Sequence, residues 1–376
     1  MPISPEILDV LKTAIFFGLL SSFIAFLWAP LLISFLYKYK IVRNPEYDAT
    51  LAMGARRSKA GVPVMGGILV IVTVAVITIL FNWNRQYTWV PIGVMLLSAL
   101  LGGIDDILNI MGHERRTKKI KHILTLIRVH KDWKQRLWLA ITFPWSAFKR
   151  IGMWLGSHPG KGLHVHERML FQLAAGAITA WWIYNKLGEQ WRDVYIPFHG
   201  FISIGWLIIP LIIILVFLTS NAVNITDGMD GLAGGALIIT FSTLTVLSWI
   251  EGYSSIAIVN ATTVGALITY TYFNIKPARF QMGDVGSLGL GALLAINCIV
   301  INRLILIPLL GFIFYAELAS VIIQILGRHL LGRRIFKMAP IHHHFEIRGW
   351  SEEKTVMRFW IIHAGFVLLG LWISLH

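Results

Sequence analysis

Ten stretches of the sequence run for roughly 20 residues with almost no charge, at 14–37, 64–81, 88–104, 169–184, 201–219, 231–250, 254–273, 285–302, 304–327 and 356–375. That length crosses the hydrocarbon core of a bilayer as a helix, which satisfies its own backbone hydrogen bonds there. The shorter runs borrow flanking residues, and Glu317, Arg358 and His363 interrupt the last two, so about ten spans are expected. Composition argues against a water-soluble fold. With 56% hydrophobic and 14% charged residues, such a fold would leave large apolar patches in water. The expected architecture is an all-α polytopic membrane protein, residues 1–376 forming a single transmembrane domain.

Charge sets the orientation. The odd-numbered connections hold 28 of the 33 Lys and Arg residues, and the other side has only Lys12, Arg85, Lys186, Arg192 and Arg303. The positive-inside rule puts the odd connections in the cytoplasm and both termini outside. The net charge of +14 then reflects topology and attraction to anionic membrane lipids, with no nucleic-acid partner. The first run is too long for a signal sequence and lacks a small-residue cleavage site, so it reads as a retained span. Trp28, Trp83, Trp89, Trp249 and Trp372 read as interfacial anchors. The lone Cys298 makes no intrachain disulfide and leaves the redox compartment open. One basic insertion, 110–161, interleaves Trp133, Trp138, Trp145 and Trp154 with cations. Its 118–140 stretch has the spacing of an amphipathic helix lying in the interface, and Pro144 and 157–162 break the pattern.

Carboxylates at span ends are costly enough to need a reason. Asp105 and Asp106 follow the third run, Asp227 and Asp230 lie between the fifth and sixth, and Asp284 opens the eighth. All fall on the side that the charge count makes cytoplasmic. Around them stand Asn221, Asn224, Gly228 and Asn274, with Lys276 and Arg279. Asp284 precedes a glycine-rich span start, where helix amides point at any anion. His342, His343 and His344 come near the end; consecutive histidines cannot all face one metal from a helix, so phosphate binding by one or two suits them better. Hard oxygen donors without cysteine favour Mg2+ over zinc. Such an ion with nearby cations suits a diphosphate, and apolar walls suit a lipid co-substrate, which together read as phosphoryl-type transfer.

The strings DD at 105–106, NAVNITDGMDGLAGG at 221–235, FNIKPARFQMGDVGSLGLG at 273–291 and APIHHHFEIRGWSEEKTVMRFW at 339–360 resemble the phospho-N-acetylmuramoyl-pentapeptide-transferase family. That family is of the glycosyltransferase 4 type, within the polyprenyl-phosphate N-acetylhexosamine-1-phosphate transferases. The C-terminal string is the branch-specific one. The resemblance implies periplasmic termini, a bacterial inner-membrane location and a catalytic groove on the cytoplasmic face. It implies UDP-N-acetylmuramoyl-pentapeptide and undecaprenyl phosphate as substrates, lipid I for peptidoglycan and UMP as products, and Mg2+ as cofactor; a homodimer is a separate expectation, and the sequence leaves the oligomeric state open. By position, Asp284 corresponds to the metal ligand and Asp105 and Asp106 to the catalytic pair. Lys59, Asn221, Asn224, Asp227, Gly228, Asp230, Asn274, Gln281 and Gln324 correspond to substrate-site residues, and His342, His343 and His344 to the histidine motif, the first two catalytic and His344 substrate-binding.

Several positions depart from that pattern. Val62 and Val64 stand where the family has threonines, Asn109 and Arg168 where it has lysines, and Gln281 where it has a phenylalanine suited to stacking on uracil. Competing readings are a related transferase using UDP-N-acetylglucosamine, an ion-coupled transporter that uses carboxylates such as Glu317, and an inactive scaffold.

Overall fold

In the computed structural model of the chain, residues 5–42, 61–111, 120–129, 132–139, 141–143, 163 and 165–376 are described. Lys59, Pro144, Trp145 and Trp154 lie outside the described residues. Helices form at all ten expected positions: α1 (Pro5–Lys38), α2 (Ile68–Phe81), α3 (Trp89–Met111), then, past the insertion helix α4 (Ile120–Val129), α5 (Val165–Trp182), α6 (Ile208–Thr226), α7 (Leu232–Ile250), α8 (Ser254–Asn274), α9 (Gly283–Val300) and α10 (Phe312–Leu330), and, past the short α11 (Ile341–Ile347), α12 (Glu352–Ser374). Eight are long and apolar enough to cross a membrane; α2 is shorter, and α5 is the more polar helix.

Helix ends depart from the apolar runs where polar chemistry intervenes. α3 continues through Asp105 and Asp106 to Met111, so these aspartates sit inside the helix and not at its end. The run at 64–81 becomes helical only at Ile68, because Gly66 and Gly67 donate to Gln281 O (2.7 Å) and Met282 O (2.9 Å). The run at 304–327 is broken at Gly311, between a one-turn helix Ile307–Leu310 and α10. Among the described residues one element is not helical: β1 (Asp193–Ile196) and β2 (Gly200–Ser203) form an antiparallel hairpin, with Asp193 opposite Ser203. Asn302, just beyond α9, accepts from Tyr195 N at 3.2 Å and donates to Asp193 O at 3.1 Å, which ties the hairpin to that end of the bundle.

Every residue of α9 is buried, making it the axis of the bundle. It packs most extensively on α3 and then on α6, while α1 and α7 pack on α8 and α5 packs on α6. Small residues let these backbones approach, as in other membrane helix pairs. A Cβ on Gly102 of α3 would lie 2.1 Å from Asp284 O, and one on Gly67 would lie 2.3 Å from the Gly286 Cα. On the outside, Phe16, Leu19, Phe23, Leu27 and Leu31 form an exposed stripe along α1, as expected where lipid is the solvent.

Trp28 is not an interfacial anchor. It lies well inside α1 and its indole donates to Thr73 Oγ1 of α2 at 3.0 Å, a polar contact between two apolar helices. Trp83 and Trp89, at the adjoining ends of α2 and α3, are exposed as expected of anchors. In the insertion, helix forms at 120–129 and 133–139, with Trp133 and Trp138 exposed.

The contact of α3 with α9 makes a direct test. Gly102→Ala should lower thermal stability by about 1–3 kcal/mol through overpacking against backbone. Gly365→Ala, where a Cβ would meet nothing within 4 Å, serves as control. Unchanged melting of Gly102→Ala in detergent would mean that the two helices are not so close.

Candidate active site

The aspartates converge because three helix ends meet. The C-terminal parts of α3 and α6 arrive where α9 begins. Asp284, in the first turn of α9, accepts from Asn224 Nδ2 of α6 at 2.8 Å, and the same amide donates to Ser287 Oγ at 2.8 Å. Asp227, just past α6, accepts from the Gly283 amide at 3.1 Å. Asp106 accepts from the Val285 amide at 3.2 Å. Two backbone donors at the start of α9 are thus met by carboxylates from two other helices, the preference expected at a helix N-terminus. Gly283 has φ +72°, and a Cβ there would press on Asp106 Oδ2 at 2.7 Å, so this turn needs glycine.

Arg168, in the first turns of α5, joins the group. Its guanidinium contacts Asp105 and lies 3.1 Å from Asp284 Oδ2. Asp105 also accepts from Leu163 N at 2.6 Å and Asn109 Nδ2 at 3.2 Å. Buried carboxylates need such partners, since an uncompensated one is strongly unfavourable. These contacts explain why α3 can continue through two adjacent aspartates.

Asp230 belongs to a neighbouring cluster. Its carboxylate accepts from Ala278 N at 3.3 Å, and its amide donates to Glu352 Oε1 at 2.9 Å. Lys276 lies 3.5 Å from Glu352 and 2.8 Å from Glu353; bonding to Glu353 foremost holds its ammonium above the ordinary lysine range. Asn274 accepts from Gly231 N at 2.9 Å and donates to Phe280 O at 2.8 Å. It thereby fixes two loops, and Gly231 opens α7 with φ 82°.

The remaining sequence candidates divide. Asn221 turns toward α5, donating to Gln172 and to Phe217 O. Gly228 donates to Thr226 O at 2.7 Å, tightening the turn after α6. The side-chain amide of Gln324 is bonded to the backbone of Ile335 and Phe336, which makes it a support for the loop before α11. Gln281 pairs through its backbone with Pro63 and Gly66. Phe280 does not take over the stacking position: it is fully buried, 5.3 Å from the Tyr270 ring.

His342 and His343 converge, with Nε2 atoms 3.2 Å apart, while His344 turns away to accept from Lys337 N at 3.1 Å. Burial, then Arg348 and Lys337, lower the affinity of His344 for a proton. His342 Nδ1 is 3.1 Å from Glu317 Oε2, and His343 Nδ1 is 2.9 Å from Glu346 Oε2. A carboxylate thus lies beside each ring, hydrogen-bonded to His343 and at ion-pair distance, without hydrogen-bond geometry, from His342.

Comparison with known proteins joins these observations to a family. The model of glycosyl transferase family 4 matches residues 151–302. A phospho-N-acetylmuramoyl-pentapeptide-transferase of Leptospira biflexa is 33% identical over 94% of this chain and 90% of its own length. One of Levilactobacillus brevis is 34% identical over 84% of this chain and 85% of its own, and one of Halalkalibacterium halodurans 29% identical over 95% and 96%. The chain belongs to the phospho-N-acetylmuramoyl-pentapeptide-transferase family.

Within this family member, the sequence singled out neither Arg168 nor Asn109 as a site residue; both stood out only as departures. Glu317, Glu346 and Glu352, the partners of the histidines and of Asp230, carried no local signal of that role. Among the described residues, no three His, Cys, Asp or Glu side chains are spaced as a complete metal cage. Magnesium commonly takes only one or two protein carboxylates and completes its shell with substrate phosphates and water. Asp105 and Asp284 already share one cation, the Arg168 guanidinium, and their all-oxygen chemistry fits such an ion.

Loss of Arg168 tests this arrangement. Arg168→Gln should slow turnover by about 10- to 100-fold, the worth of one or two charge-assisted bonds, with Arg168→Lys less affected. Full turnover by well-folded Arg168→Gln would remove it from the site.

Proposed function

We propose that this membrane enzyme transfers phospho-N-acetylmuramoyl-pentapeptide from its UDP-linked form to undecaprenyl phosphate, giving lipid I and UMP. The convergence of Asp105, Asp227 and Asp284 with Arg168 at one end of a family bundle carries the reading. The charge asymmetry of the connections supports a cytoplasmic site in a bacterial inner membrane, with both termini outside. A second copy of the chain is proposed as a partner, to be checked by cross-linking in native membranes.

An oxygen of the lipid phosphate attacks the sugar-bearing phosphorus, the bridging P–O bond breaks, and UMP leaves with those electrons. The second pKa of a phosphate monoester is ~6, so the acceptor is largely dianionic near neutrality and needs no strong base. Direct attack is favoured over a phosphorylated aspartate, because a dianionic acceptor is already a nucleophile and gains nothing from a covalent relay through Asp105 or Asp106. Asp284 and Asp105 are the residues that would hold Mg2+, which when bound would neutralise charge on the diphosphate. Arg168 holds those two carboxylates in register. Asn224 fixes the orientation of Asp284, and Asp227 and Asp106 fix the backbone that carries it. The adjacent rings of His342 and His343 suit a phosphate oxygen.

The test is UMP release from UDP-N-acetylmuramoyl-pentapeptide by purified protein. Release should require both polyprenyl phosphate and Mg2+, stop with EDTA, and be abolished by Asp284→Ala. Turnover of UDP-N-acetylglucosamine instead would overturn the substrate, and appreciable turnover by Asp284→Ala at saturating Mg2+ would overturn the metal ligand.

A further inference from the structure

The face of the bundle opposite the aspartates carries a groove between α3 and α5. It encloses about 590 Å³, and Trp89 and Gly93 of α3 and Ile178 and Trp181 of α5 line it, with Arg85 and Lys186 also on its wall. That size and lining suit a small amphiphile: apolar walls with a few polar groups. We propose that this groove binds an anionic phospholipid of the adjoining leaflet, its acyl chain between α3 and α5 and its phosphodiester on Arg85 and Lys186.

Charge selects this occupant over a neutral lipid. Five cations belong to this side of the protein by sequence. Lys12 pairs with Asp9 at 3.1 Å, Arg192 with Glu189 at 3.5 Å, and Arg303 with Glu251. Arg85 and Lys186 are exposed and have no carboxylate partner among the described residues, and both line this one groove. Two unpaired cations beside an apolar cleft complement a negative headgroup carried on a hydrocarbon tail. Trp89 and Trp181 are 57% and 59% exposed, as suits indoles at the level of lipid headgroups. The cleft has room beside Gly93, where a Cβ would meet only Trp89, at 3.9 Å.

The site is separate from the aspartates. Trp89 and Asp105 are about 24 Å apart along α3 at 1.5 Å per residue. Yet the same two helices meet at the far end through Asp105 and Arg168. A lipid wedged between α3 and α5 would therefore stabilise the helix pair that holds that contact, by mass action.

Native mass spectrometry of the full chain, exchanged into detergent with phosphatidylglycerol or phosphatidylcholine, tests the assignment. The wild-type protein should retain phosphatidylglycerol in preference. Arg85→Gln with Lys186→Gln should weaken that retention about 20- to 30-fold, the loss for two cations near a headgroup. Gly93→Leu, which fills the cleft and keeps both charges, should weaken it too. Equal retention of phosphatidylglycerol by wild type and the double charge variant would overturn the proposal. So would equal retention of the two lipids, or displacement of phosphatidylglycerol by undecaprenyl phosphate at equal concentration. Both charged positions are exposed, so an unchanged melting temperature of the double variant separates lost binding from lost folding.

Discussion

The shared guanidinium of Arg168 is the contact on which the aspartate end of this bundle depends. Asp105 and Asp284 are both nearly buried, and two such carboxylates repel unless a cation stands between them. Arg168 supplies that cation from a third helix, so one side chain joins α5 to α3 and α9. Removing it would leave two buried charges uncompensated, a much larger penalty than the loss of an exposed ion pair.

Around that contact, packing and hydrogen bonding reinforce one another. The close approach at Gly102 brings the α3 backbone to Asp284, and the amides at the start of α9 then find Asp106 and Asp227. A second layer ties the C-terminal part of the chain to the same end. Glu352 receives the Asp230 amide and approaches Lys276, and Glu317 of α10 meets His342. Carboxylates thus serve in two ways here, as candidate ligands and as supports that aim other polar groups.

Much of the fold was legible because a bilayer permits so few solutions. Apolar runs of the right length had to become helices, and they did. The helix limits were less legible, since they depend on partners remote in sequence. α3 extends past Asp105 because Arg168 and Leu163, about 60 residues away, satisfy that carboxylate. α2 starts late because Gly66 and Gly67 pair with the segment before α9. The hairpin at 193–203 went unforeseen, its strands being short and held by Asn302 from the end of α9. Trp28 misled, because indoles at mid-helix and at an interface look alike in sequence. In the site, the aspartates were evident as costly charges beside apolar runs. Their basic partner was one of many cations in a strongly basic segment, and nothing local distinguished it. Gln324 and Asn274 were expected at the substrate, and their side-chain amides bond loop backbone, through partners that no local sequence signal revealed.

What unites these features is the sharing of one cation position by residues 179 apart in sequence, Asp105 and Asp284. Electron paramagnetic resonance of Mn2+ added to the protein in lipid nanodiscs probes that sharing without reliance on turnover. We expect one tightly held Mn2+ in the wild-type protein, and its loss both in Asp105→Asn and in Asp284→Asn. Undiminished Mn2+ binding in either variant would contradict a site built jointly from α3 and α9.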